Sequence, residues 1–143
     1  MSFAATHAAK TYAKVGLETS VATASPHQLI LMLFDGALLA MAKAGNAMQK
    51  KQITEKGQAI SQAIDIISNG LGASLNFSAD DELANRLAAL YDYMVRRLLH
   101  ANLHNDQAAL NEVSYLLGEI KSAWEEIADD PTVLAHQKNK TAA

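Results

Sequence analysis

Thr23-Ala24-Ser25-Pro26-His27-Gln28-Leu29-Ile30-Leu31-Met32-Leu33-Phe34-Asp35-Gly36-Ala37 opens a helix, and the rest of the chain is organised around it. Ser25 is placed to act as N-cap, because the first amides of a helix have no acceptor within it and a serine hydroxyl supplies one. Pro26 falls at the first helical position, where its missing N–H removes no bond. Gln28, three residues after the cap, can reach back to the cap's own amide and close a capping box. At about 100° per residue, Leu29, Leu33, Ala37, Ala40, Ala44 and Ala47 share one face. Ile30, Phe34, Met41 and Met48 lie beside that face, and Leu31 and Leu38 mark its far edge. Met32 and Leu39 fall on the opposite, polar side with Asp35. One apolar stripe is enough to bury a helix against its own domain. Here the apolar surface exceeds one stripe, so either the helix is central and surrounded, or part of its surface receives a partner.

Working outward, residues 1–24 are expected to form a mobile arm. Its apolar residues are scattered (Phe3, Val15, Leu17, Val21), and Tyr12 is its best anchor, aromatic with a polar tip. The first helix is expected to run from Pro26 to about Lys50, with Gly36 admitting a close neighbour. Thr54 is the expected cap of a second helix carrying Ile60, Ile64, Ile67 and Leu71, and ending between Gly70 and Leu75. Ser78, followed by Asp81 and Glu82, signals a third start. Its stripe is Leu83, Leu87, Leu90, Tyr91, Met94, Leu98 and Ala101, the alternation of threes and fours with which bundle helices pack. Asp106 is the expected cap of a fourth helix burying Leu110, Val113, Leu117, Ile120, Trp124 and Ile127, and Pro131 follows its end. Short connections make neighbours antiparallel. The expected fold is all-α: an antiparallel up-down four-helix bundle over residues 25–130, with the N-terminal arm before it and a disordered tail over 131–143.

Composition narrows the function. A chain of 143 residues, half of them hydrophobic, suits one domain with a packed core. A formal net charge of −3 gives no electrostatic case for nucleic acid. The apolar run Leu29–Phe34 stops at Asp35, short of a membrane span, and the N-terminus lacks a secretory pattern. Cysteine is absent, which removes disulfides and thiolate chemistry. A cytoplasmic (cytosolic) protein is the plain reading.

Catalytic chemistry finds no footing. Di-iron bundles need Glu-x-x-His pairs, and no glutamate here is followed three residues later by histidine. His100 and His104 stand four apart but lack a hydrolase glutamate between them, and both they and His27 read as surface histidines near helix ends. Asp80-Asp81-Glu82 reads as helix-start charge and Arg96-Arg97 as a solvated face. No phosphate-cradling glycine loop occurs. No catalytic residue, metal or cofactor is expected.

Taken together, the segments resemble one family, the bacterial flagellar export chaperones for flagellin, FliS. The likeness rests on Tyr12, on Val21-Ala22-Thr23-Ala24-Ser25-Pro26 followed by Leu29, and on Met32-Leu33-Phe34-Asp35-Gly36-Ala37. Further on it rests on Leu87, Leu90-Tyr91-Asp92-Tyr93-Met94, Arg97-Leu98, Ala101-Asn102, Val113 and Trp124. Phe34 stands where the family usually has tyrosine, and the arm has one tyrosine where relatives often have two. The resemblance implies a helical bundle that binds the disordered C-terminal segment of flagellin, prevents its premature polymerisation in the cytoplasm and delivers it to the type III export gate. An anti-sigma factor is a further implied partner. On this reading Ile30, Met32, Leu33, Phe34 and Leu39 form the groove, with Gly36 allowing close approach. Tyr91, Met94, Leu98 and Asn102 supply a wall, and Tyr12 and Val21 belong to an arm that covers the empty groove. Leu33, Tyr91, Met94 and Leu98 also fit the core, whereas Met32 and Leu39 are not needed by the internal seam. The rival reading makes the extra apolar face a homodimer interface with no client.

Overall fold

The structure, a computed structural model, describes residues 25–75 and 81–127. The arm with Tyr12 and Val21, Ser78, and the tail all lie outside the described residues. Helix α1 spans Pro26–Gln49 and begins as its sequence dictates. The Ser25 hydroxyl accepts from the Gln28 amide at 3.2 Å, and the Gln28 side chain accepts from the Ser25 amide at 2.9 Å. At the other end Lys51 adopts a left-handed φ of 57° and the Gln52 amide bonds the Ala47 carbonyl at 2.9 Å. That tight reversal starts α2 (Ile53–Asp65) at once, so Gln52 is its N-cap, without a side-chain hydrogen bond, and Thr54 is not the cap.

Helix α2 continues as a π-helical segment, Ile66–Gly72, so the helix ends where the glycines forecast it but in a wider turn. Such i→i+5 runs are rare. Here the wide turn brings two adjacent pairs, Ile66–Ile67 and Gly70–Leu71, to the interior together. Gly72 has a local reason as well, since a methyl there would stand 3.3 Å from the Ile67 carbonyl oxygen. Helix α3 spans Glu82–His104, capped by Asp81 itself, whose carboxylate accepts from the Ala84 amide at 2.9 Å. Asn105, left-handed at φ 53°, closes α3, and Asp106 caps α4 (Gln107–Glu126) by accepting from the Ala109 amide at 3.1 Å.

The four helices make one antiparallel bundle. α1 packs on α2 and α4, α3 packs on α4 and on α2 with its π-helical end, and α1 and α3 stand across the diagonal. Pairing along α1 and α4 runs in opposite directions: His27 meets Trp124, Met41 meets Ser114, and Gly45 meets Leu110. Ala37, Ala40, Ala44 and Ala47 let the neighbours of α1 come close, and larger residues fill the space between: Phe34, Met41, Ile60, Ile67, Leu98 and Leu117. By length and apolar composition α1 matches a membrane span, a property its sequence reading missed, yet its Leu29–Ala47 face is the bundle core.

Two stripe residues are exposed, while Ile64, Leu87, Leu90, Ile120 and Trp124 are half-buried against the core. Leu83 is 68% exposed and Ile127 37% exposed. Both sit in terminal turns at the same end of the bundle, where no partner helix extends over them among the described residues. His27 departs in the other direction. It is buried rather than exposed, because Trp124 stacks on its ring at 4.6 Å between centroids and 8° between planes. The Trp124 indole N–H also donates to the His27 carbonyl at 3.2 Å.

Candidate recognition surface

Helix α1 buries one face, which leaves a line along its back at threes and fours: Gln28, Met32, Asp35, Leu39, Lys43 and Asn46. On this line Leu39 is 53% exposed and Met32 is half-buried, its inner side packed on the core. Ile30 is half-buried on the neighbouring flank. Asp35 does not float free between the two apolar residues. Lys121 of α4 holds it at 2.6 Å and reaches Glu125 at 3.7 Å. The hydrogen bond to Asp35, ahead of every other influence, raises the Lys121 ammonium above its ordinary pKa. The one acid on the line is thereby neutralised by a fixed cation.

The other expected groove residues lie inside. Leu33 is 0% exposed and Phe34 1%, because α4 covers the flank that Phe34 shares with Met41. Gly36 is buried as well. On α3, Tyr91, Met94 and Leu98 are core residues, and burial pushes the Tyr91 phenol up to about 12. In this conformation they offer a partner no surface. Asn102 is half-buried, and its carbonyl is used within the bundle: the buried Lys56 of α2 donates to it at 3.0 Å and to Asn105 Oδ1 at 3.1 Å. That ammonium closes the C-terminal end of α3, where carbonyls lack partners.

Sequence reading missed a second exposed apolar set. Leu99 (55% exposed) and Leu103 (79%) stand four residues apart on the outer side of α3. Their signal was available, two leucines at helical spacing that the main stripe of α3 does not use. The Arg96-Arg97 pair also divides. Arg96 makes an exposed ion pair with Asp92 at 3.3 Å, while Arg97 bonds Glu112 of α4 at 2.9 Å. Tyr93 donates to the same carboxylate at 2.5 Å. That bond does most to lower the Glu112 pKa, and in return raises that of Tyr93.

Among the described residues no three metal-ligating side chains stand together. His100 and His104 are neighbours, with ring centroids 4.5 Å apart, and His100 Nε2 lies 3.1 Å from Asp106. Asp106 is occupied as the cap of α4, and the Ala109 amide is the main cause of its lowered pKa. The carboxylates at helix contacts are thus tied into caps and ion pairs, and Leu39, Leu99 and Leu103 are among the apolar residues left outside. Fold and surface together define an antiparallel four-helix bundle with apolar side chains left on its outer faces. Its sequence relatives place it further. The profile of the family described as Flagellar protein FliS matches residues 8–131. The flagellar secretion chaperone FliS of Salmonella typhimurium is 50% identical over 119 residues, 83% of this chain and 88% of that protein. Its Escherichia coli counterpart is 48% identical over 123 residues, covering 86% and 90%. The flagellar secretion chaperone FliSB of Pseudomonas aeruginosa is 46% identical over 121 residues, covering 85% and 95%. The chain belongs to the FliS family of flagellar secretion chaperones.

Proposed function

We propose that this chain binds the disordered C-terminal segment of flagellin in the cytosol, keeps it from polymerising and brings it to the flagellar export gate. The observation that carries this reading is the line through Met32 and Leu39, apolar side chains on the outer face of a core helix within a chain of this family. A client segment that becomes helical can lay its own apolar face along such a line, gaining about 25 cal/mol per Å² of buried apolar area, less the cost of ordering. Asp35, already paired to Lys121, adds no uncompensated charge to that contact.

Calorimetric titration with a peptide from the last forty or so residues of the cognate flagellin, long enough for two or three short helices, tests the proposal. The expected result is one-to-one binding with a negative heat-capacity change and a gain of helical circular dichroism. Met32→Glu and Leu39→Glu each weaken binding at least tenfold and leave the melting temperature within a few degrees, since neither residue is fully buried. Absence of binding to the cognate peptide sinks the proposal. A constant dimer by light scattering, with Leu39→Glu making it monomeric, would instead assign the line to a homodimer.

A further inference from the structure

Leu103 and Ile53 (76% exposed) are the two most exposed large apolar side chains among the described residues, and both stand at the same end of the bundle with Leu99. Lys56 fixes their proximity. It lies three residues after Ile53, and its ammonium donates to the Asn102 carbonyl and to Asn105, tying the first turn of α2 to the last turn of α3. The remaining flanks are already taken. Glu55, Gln58 and Gln62 of α2 turn toward α1, and Tyr93, Arg97 and His100 of α3 turn toward α4 and its cap. Gly57 on α2, and the row Asp92, Arg96, Leu99 and Leu103 on α3, are left on the flanks that face each other outward. A methyl at Gly57 would meet nothing within 4 Å, so the floor between the two helices is open there. We infer that this α2–α3 face docks an acidic amphipathic helix of a second protein, leaving the outer line of α1 to the client.

Charge selects the occupant. Lys50 and Lys51, two and three residues before Ile53, are exposed and make no ion pair among the described residues. The acids at this end are engaged or turned away. Asp92 pairs with Arg96, Glu112 with Arg97, and Asp106 with His100, while Glu55 lies on the α1 side of its helix. The apolar face is therefore edged by free ammonium groups, and carboxylates flanking an apolar stripe complement it. A second copy of this chain would set the same lysines against these lysines. The chain's own ends supply no acidic segment either. Residues 1–24 hold one acid, Glu18, against two lysines, and residues 128–143 hold two acids against two lysines.

Shape favours a helix. Leu99 and Leu103 are one turn apart and Ile53 faces them across the Gly57 floor, so a helix lying between α2 and α3 meets apolar residues on both sides along one stripe. The position also separates this face from the client line. α1 and α3 stand across the diagonal of the bundle, so a peptide over Met32 and Leu39 leaves Leu99 and Leu103 open. The bundle can then hold its client and a second protein at once.

The test uses the full chain and two synthetic amphipathic peptides of about sixteen residues, long enough to turn helical on binding. Both carry leucines at helical spacing; one is flanked by glutamates and its twin by lysines. The glutamate peptide is expected to bind at least tenfold more tightly than its twin, with a preference that shrinks as salt is raised. It shifts the methyl resonances of Ile53, Leu99 and Leu103 and leaves those of Leu39 unmoved. Leu99→Ser/Leu103→Ser weakens it at least tenfold at an unchanged melting temperature, since both residues are exposed. Lys50→Gln/Lys51→Gln removes the preference between the twins. Equal affinity for the twins, or unmoved methyl resonances, overturns the inference. Displacement of the glutamate peptide by the flagellin C-terminal peptide overturns it by giving this face to the client, and a dimer that Leu103→Ser dissociates does so by giving it to a second copy. Failure of the flagellin peptide to bind defeats the chaperone proposal alone, because the glutamate peptide reads this face independently.

Discussion

Lys56 shows how much a single side chain decides in this bundle. Its carbon stem is buried and its ammonium serves two acceptors at the end of α3, the carbonyl of Asn102 and the side chain of Asn105. Lys56→Met keeps the stem and removes the donors, leaving both acceptors short of a partner. Urea denaturation should register a loss of about 2 kcal/mol with an unchanged slope. Tyr91 supplies a pH signature. Its folded pKa, about 12, lies above the ordinary value of 10, so its contribution is complete below pH 10 and is lost as pH rises from 10 toward 12. The shift corresponds to about 3 kcal/mol, visible as a falling denaturation midpoint over that range. Tyr91→Phe flattens the fall, leaving the smaller share of Tyr93, whose pKa is also raised. Tyr91 was legible in the sequence as a stripe residue. The role of Lys56 was not, because a lysine one turn into a helix carries no local sign that it caps a different helix.

At the scale of the element, start signals with their own chemistry were legible. Ser25 with Gln28, and Asp106, cap as their spacing indicates. Ser25→Ala should cost about 1 kcal/mol in a urea melt. Starts decided by the preceding turn were not legible: α2 begins at Ile53 because Lys51 turns left-handed, a conformation that lysine does not advertise. The π-helical segment escaped for a related reason. Ile60, Ile64, Ile67 and Leu71 satisfy an ordinary helical stripe, and only the inward position of Ile66 and Gly70 distinguishes the wider turn. Glycines provide the matching experiment. A methyl at Gly57 or Gly118 meets nothing within 4 Å, so Gly57→Ala and Gly118→Ala should each stabilise by about 0.5–1 kcal/mol. Gly72→Ala meets the Ile67 carbonyl oxygen at 3.3 Å, and the same melts should show that gain absent or reversed.

For the whole molecule, the sequence stripes indicated an antiparallel four-helix bundle, and the order of contacts around the bundle follows from short connections. The proposed binding face was legible only in part. Met32 and Leu39 stood out because no internal seam requires them, but the surroundings of Phe34, Met94 and Leu98 depend on which helix lies alongside, and periodicity along one helix carries no record of its neighbours. All four helices contribute to one continuous core, so the bundle should unfold as a unit. Helical circular dichroism and the emission of Trp124, the single tryptophan, should therefore share one thermal midpoint. Separated midpoints would mean that the α1–α4 contact at His27 opens on its own.

That contact has a topological consequence. His27 stacked on Trp124 places the first turn of α1 beside the last turns of α4, so an even number of antiparallel helices has brought the two ends of the bundle back together. A peptide linker of about six residues, some 20 Å when extended, can therefore join residue 127 to residue 25 and turn the bundle into a closed ring. The ring can then be cut between residues 75 and 81, giving a circular permutant whose chain starts at α3 and finishes with the π-helical segment. Every helix pair in the core keeps its neighbour, and only the order in which the ribosome delivers the helices changes.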